Sequence, residues 1–437
     1  MFKGTFITSM FDSGYILKKV AKEIEVEEKD CSFTFYETYE IDENDETYEK
    51  LQKDILESSI IFMFIHGGIS NFNRFYEIIS KYKDFKKFFI YTSIEDEVKE
   101  LQEKSGISLS TFQEMSLYYK VGEEKNLKNL IKLAGNKLAR KNYIVEKCYF
   151  PKCEGIYLNG KVIENEKEYL NKIKDKEVIA VLFHARLLFR DDLDVVKSFE
   201  KKIIEKGAVP LIVFTNSVCD PSVNGKGTDI AIKELMILED KMIPKCIINL
   251  ISYSQSIFSS PGNGEKTLKN SIFEKYEVPV IQGMCTYQNR ETWNKSLSGL
   301  DLMSLVSSVY YPEFDGQIIS ITCGTYEKIS NDRYVFKAID ERVDRIVTLS
   351  KNWVNLSLKS NSEKKIAIIF HNMPPRNDMI GCAFSLDTPA SVFNMVEEFK
   401  RVGVKTEYSF SNGDEIIKKI IDGVTIDSRW LNAEKVK

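Results

Sequence analysis

The chain of 437 residues holds three histidines, and each stands directly behind a short apolar run. His66 follows IIFMFI, His184 follows VIAVLF, and His371 follows IAIIF. Unbroken runs of β-branched and aromatic residues are the pattern of strands buried on both faces, as in parallel sheets. Open parallel sheets bind ligands beyond the carboxyl ends of their strands, and all three imidazoles fall there. An imidazole in that place can coordinate a metal, pass a proton or hydrogen-bond a carboxylate. Arg186, two residues past His184, can pair with an anionic group. No metal site is assigned; His184 and His371 are the candidates for one. The plainer alternative is that polar residues commonly end strands.

Spacing excludes several other chemistries. GNGEKT, Gly262–Thr267, lacks the glycine that a phosphate loop places before its lysine; Glu265 stands there instead. NGKGTD, Asn224–Asp229, reads as a turn. This chain is therefore not expected to hydrolyse ATP. Cys148 and Cys153 have no second pair and no histidine near them in sequence, so zinc is not expected. The other cysteines read as small buried hydrophobes, and no Ser-His-Asp set is visible. With 61 basic and 65 acidic residues the formal charge is −4, which supplies no basic field for nucleic acid. The longest apolar runs are far short of the ~20 residues of a membrane helix. Asp12 interrupts the only N-terminal stretch that could resemble a secretory signal. The expectation is a soluble, cytoplasmic protein without nucleic acid or membrane partners.

Periodicity predicts the elements that position these residues. Val178–Phe183 is a strand, Leu193, Val196, Phe199 and Ile203 mark a helix ending at Gly207, and Val209–Phe214 is the next strand. The same order recurs with Ile60–Ile65, a helix over Phe75–Tyr82 and a strand at Phe88–Tyr91. It returns with a strand at Ile366–Phe370 and a helix opened by Thr388-Pro389 and closed by Gly403. The fold class is multidomain α/β, with repeated Rossmann-like βαβ units and mainly parallel sheets. Lysine-rich polar stretches set the expected boundaries. An N-terminal α/β domain covers 1–140, a linker 141–177, a central α/β domain 178–355, and the start of a further α/β domain 366–437.

The segment HNMPPRNDMIGCAFSLDTPAS, His371–Ser391, carries a recognisable signature. It resembles the large subunit of cobaltochelatase (CobN) and the H subunit of magnesium chelatase. Asn372, Pro374, Pro375, Gly381, Leu386, Asp387, Thr388, Pro389, Ala390 and Ser391 match that family; Cys382 stands where the family usually has asparagine. Other stretches agree in order along the chain. YYKVGEEKNLKNLIKL, ending at Leu133, looks like the family's glycine–asparagine helix. VPVIQ, ending at Gln282, PEFDG at Pro312–Gly316, and ERVDRIVTLSKNW at Glu341–Trp353 also match.

The resemblance implies a tetrapyrrole-binding large subunit, or a fragment of one, that works with AAA+ ATPase and accessory subunits. Co²⁺ or Mg²⁺ would be the substrate metal, and ATP would be used by the partners rather than by this chain. Cobalamin synthesis is the favoured setting, and residues 178–355 the expected tetrapyrrole-binding domain. His66, His184, Arg186, Gln282, His371 and Asn372 are the expected substrate-binding residues. Gly381, Leu386, Asp387, Thr388 and Pro389 are expected to be structural. Activity of this chain alone is not expected, because family large subunits are far longer. A stand-alone tetrapyrrole or corrinoid carrier is the alternative, and a sugar-nucleotide transferase is a more distant one suggested by βαβ repetition only.

Overall fold

The computed structural model describes residues 1–9, 11–66, 68–92, 94–258, 271–330 and 333–423. The Gly262–Thr267 stretch lies outside them. Two units are formed, Met1–Lys351 and Asn352–Lys437.

The first unit opens with strand β1 (Phe2–Thr8), helix α1 (Phe11–Glu28), and strands β2 (Cys31–Glu37), β3 (Ile60–Ile65) and β4 (Phe88–Thr92). They build a parallel sheet in the order β2-β1-β3-β4. Alternation along the strands divides two cores. Phe6, Phe62 and Phe64 pack on one face with Leu17 and Val20 of α1. Ile7, Ile61, Met63 and Ile65 pack on the other with Phe75 and Ile78. Phe6 stacks between Phe35 and Phe62 at 4.6 and 4.4 Å, which braces the central strands. After β2 the chain returns to lay β3 on the other side of β1, so the connections reverse direction between β1 and β3. Such a reversal opens a crevice at the carboxyl ends of the two strands.

Helices α2 (Leu109–Val121) and α3 (Glu124–Ala139) complete this part. The segment from Lys141 to Pro151 has no regular structure, and α3 satisfies much of its backbone. Asn126 and Asn136 each pair with both backbone groups of one residue, Tyr149 at 2.7 and 2.9 Å and Tyr143 at 2.8 and 2.7 Å. Asn129 accepts from the Glu146 N–H at 3.0 Å. The asparagines of the glycine–asparagine helix are thus a brace for the crossing chain.

The second sheet draws on β5 (Gly155–Leu158), β6 (Lys161–Val162), β7 (Val178–His184), α4 (Ala185–Phe189), α5 (Asp194–Glu205), β8 (Val209–Thr215) and α6 (Thr228–Leu235). A two-residue hairpin, β9 (Ile237–Leu238) and β10 (Lys241–Met242), stands apart. Then come β11 (Cys246–Asn249), β12 (Val280–Thr286), β13 (Ile318–Ser330) and β14 (Arg333–Ala338). The order is β14-β13-β12-β11-β7-β8-β5-β6. Strands β13 to β8 are parallel, and the edges are antiparallel. Here the reversal falls between β7 and β11. Part of the stretch read as a linker, 141–177, is corrected by this arrangement. The run Gly155–Leu158 is apolar enough to pair with the exposed side of β8, so β5 and β6 extend the sheet.

Gln282, expected on the substrate, lies inside the sheet and is fully buried. Its Oε1 accepts from Asn249 Nδ2 at 3.2 Å, and its Nε2 donates to the Ile251 carbonyl at 3.3 Å. Asn249 Nδ2 also donates to Gln317 Oε1 at 3.0 Å. A polar residue in a parallel strand can end the strand or satisfy a buried network, and sequence does not separate the two. Gln282→Leu strands a buried amide, so chemical denaturation should show a loss of about 2 kcal/mol. An unchanged midpoint would contradict the network.

In the second unit, helices α7 (Thr388–Arg401) and α8 (Gly413–Ile421) are present. Asp387 caps α7 by accepting from the Ala390 N–H at 2.9 Å, with Pro389 in the first turn. The cap is one residue earlier than the Thr388-Pro389 reading placed it, and Leu386 before it is exposed. Gly381 has φ 70, and a Cβ there would sit 2.7 Å from the Phe370 ring. Its N–H donates to the His371 carbonyl at 2.8 Å, and Asn372 Oδ1 accepts from the Arg376 N–H at 3.2 Å. These bonds tie His371–Gly381 into a closed loop. Ile366–Phe370, expected as a strand, has no strand conformation, and Ile369 is 90% exposed. The run has strand composition, but no neighbouring strand exists among the unit's described residues to pair with it.

Candidate functional site

His66 and His184 come from the two sheets of the first unit and line one cavity of about 390 Å³. His66 follows β3 at the first reversal point, and its N–H donates to Ser9 Oγ, just past β1, at 2.7 Å. His184 ends β7 at the second reversal point. Tyr91, Tyr119, Glu123 and Arg186 share the wall. Tyr119 stacks on Phe64 at 4.1 Å and meets Tyr91 at 4.8 Å, giving the cavity an aromatic side. Lys120 and Asp220, 3.0 Å apart, join α2 to the loop after β8 at the same wall.

His184 also caps α4: its Nδ1 accepts from the Arg186 N–H at 3.1 Å. That bond leaves the ring proton on Nε2. Burial, with the Arg186 charge beside it, pushes the imidazole down to about 4. The ring is therefore neutral near pH 7 and offers an Nε2–H donor. Its one lone pair is taken up by the cap, and in this arrangement His184 presents a hydrogen-bond donor to the cavity.

NGKGTD forms the loop behind the cavity wall. The buried Glu154 carboxylate accepts from the N–H groups of Lys226 at 2.9 Å and Gly227 at 3.3 Å. The amides a phosphate would use are already taken by the chain's own carboxylate. Gly227 has φ 82, and a Cβ would lie 2.7 Å from the Cys219 nitrogen.

His371 and Asn372 belong to the second unit and are not among the residues lining this cavity. His371 is exposed, and among the described residues no three His, Cys, Asp or Glu side chains converge as a metal site. Sequence reasoning missed Tyr91, Tyr119, Glu123 and Asp220. Tyr91 had a signal, since it lies in the strand run Phe88–Tyr91 at a carboxyl end.

A model of the CobN/Magnesium Chelatase family matches residues 116–437. The chain belongs to that family. The signature from His371 to Ser391 falls within the match, as do β5 to β14. Similar proteins include the uncharacterized protein MJ0908 of Methanocaldococcus jannaschii, 36% identical over 71% of this chain and 26% of its own length. The aerobic cobaltochelatase subunit CobN of Pseudomonas aeruginosa is 26% identical over 59% of this chain and 20% of its own. The chain thus spans about a quarter of the length of such relatives. The fold is shared with the catalytic subunit of cobaltochelatase from Mycobacterium tuberculosis, with a TM-score of 0.55 at 18% identity. That likeness covers 96% of this chain and 33% of the other. Among the described residues no helix is long and apolar enough to cross a membrane.

Proposed function

We propose that the first unit holds a tetrapyrrole in the cavity shared by His66 and His184. It would serve as ring-binding part of a chelatase large subunit that inserts Co²⁺ or Mg²⁺. The observation that carries this reading is the meeting of both strand-reversal points at one aromatic-walled cavity. A tetrapyrrole is a flat apolar disc edged with carboxylates or amides. Tyr91 and Tyr119 suit its face, while Arg186 and the Nε2–H of His184 suit carboxylate edges. Concave sites of this kind, apolar with a few convergent polar groups, are the usual form of a small-molecule site. ATP is consumed by AAA+ partner subunits, the macrocycle and the divalent ion are the substrates, and cobalamin synthesis is the favoured setting.

Titration with a carboxylated free-base porphyrin or corrin should shift the absorption band of the ring. Arg186→Ala should weaken binding about tenfold, the order expected for one charge-assisted pair. A spectrum unmoved by any ring would overturn the proposal. Adding Co²⁺ or Mg²⁺ with ATP, but no partner proteins, should leave the free-base spectrum in place. Catalytic appearance of the metallated spectrum would place insertion within these residues.

A further inference from the structure

Among the described non-glycine residues lining the cavity, Glu123 alone has a left-handed backbone, with φ 60 and ψ 152. That region is essentially reserved for glycine, and a side chain there stores strain. Glu123 occupies the cap position of α3, yet its side chain makes no cap bond. A glycine would serve the turn better and a serine or aspartate would serve the helix better. Neither fold requirement accounts for a glutamate at this lining position of the cavity.

Asp220 is paired with Lys120 and accepts from Ser222, while His184 presents an N–H. No hydrogen bond or ion pair of the Glu123 carboxylate occurs among the described residues. Burial alone raises its pKa, which makes the anion a stronger acceptor. A half-buried acceptor beside an aromatic wall calls for a ligand with an N–H in its apolar body. On the tetrapyrrole reading above, the metal-free ring carries inner N–H groups, two in a porphyrin and one in a corrin, and the metallated ring has none.

We propose that Glu123 is the specificity-determining acceptor for the ring N–H groups, so that this site prefers the metal-free macrocycle and releases the metallated one. The preference would keep product from occupying the cavity.

The test compares a carboxylated free-base porphyrin with its nickel(II) complex, whose square-planar metal has little use for an axial histidine. The intact chain should bind the free base about tenfold more tightly, the worth of one charge-assisted bond. Glu123→Gln and Glu123→Gly should bring the two affinities together by weakening the free base and leaving the nickel ring unchanged. Glu123→Gly should melt no lower than the parent, because it relieves the backbone, so a loss of preference cannot be charged to misfolding. Equal affinities in the parent chain, or a preference that survives in Glu123→Gly, would overturn the assignment while leaving ring binding intact. Binding of neither ring would overturn the functional reading itself.

Discussion

Lowering the pH from 7 to 4 should remove about 2 to 3 kcal/mol of stability through His184 alone. The imidazole titrates near 4 in the folded chain instead of its ordinary 6.5. Its contribution is therefore complete above about pH 6.5 and is lost as the pH falls toward 4, where the unfolded chain takes up the proton first. His184→Asn keeps an acceptor for the Arg186 N–H but cannot protonate. The stability difference between the parent and this variant, measured by urea denaturation, should narrow or reverse on going from pH 7 to 4.5. A difference that stays constant over that range would mean that His184 is not held neutral. Carboxylates elsewhere lose stability in both proteins alike, so the comparison isolates the ring.

Gly227→Ala should cost about 3 kcal/mol, the sum of a forbidden backbone conformation and an overpacked contact. The contact is with the Cys219 nitrogen, and backbone cannot swing aside as a side chain can. Gly207 provides the control. Its φ of 78 is similar, but a Cβ there meets nothing within 4 Å, so Gly207→Ala should cost only about 1 kcal/mol. Denaturation midpoints of the two variants give the comparison. Equal losses would show that the close approach of the 224–227 loop to the cavity wall is not real. Because Val218 and Asp220 line the cavity, Gly227→Ala should also weaken ring binding.

The strand-end histidines were legible because an unbroken apolar run declares both its conformation and its end. His66 and His184 met that rule, and the carboxyl-edge argument led to the cavity they share. The same rule failed at Ile366–Phe370. Composition reports what a strand is made of, but pairing depends on neighbours that lie elsewhere in the chain. Gln282 was misplaced for a related reason: its burial is set by Asn249 and Gln317, residues 33 and 35 positions away that only the sheet brings together. The first sheet's β1 and β2 escaped because Gly4, Thr5 and Ser32 dilute their apolar runs. Glu123 left no trace in residue pattern at all, since its distinguishing property is a dihedral angle. The Asn126 and Asn136 braces were visible only as a resemblance, and their pairing partners, Tyr149 and Tyr143, show why amides are needed there.

The two sheets of the first unit bury separate apolar interiors, one around Phe62 and one around Ile247. A molecule seated between His66 and His184 touches the ends of both. Ligand held a hundredfold above its dissociation constant adds about 2.7 kcal/mol to whatever it binds. Here that increment is forfeited when either interior opens, so it falls on both at once. Interiors that can open one at a time in the free chain should then melt as one calorimetric unit, and the ratio of van't Hoff to calorimetric enthalpy should rise toward unity as the site fills.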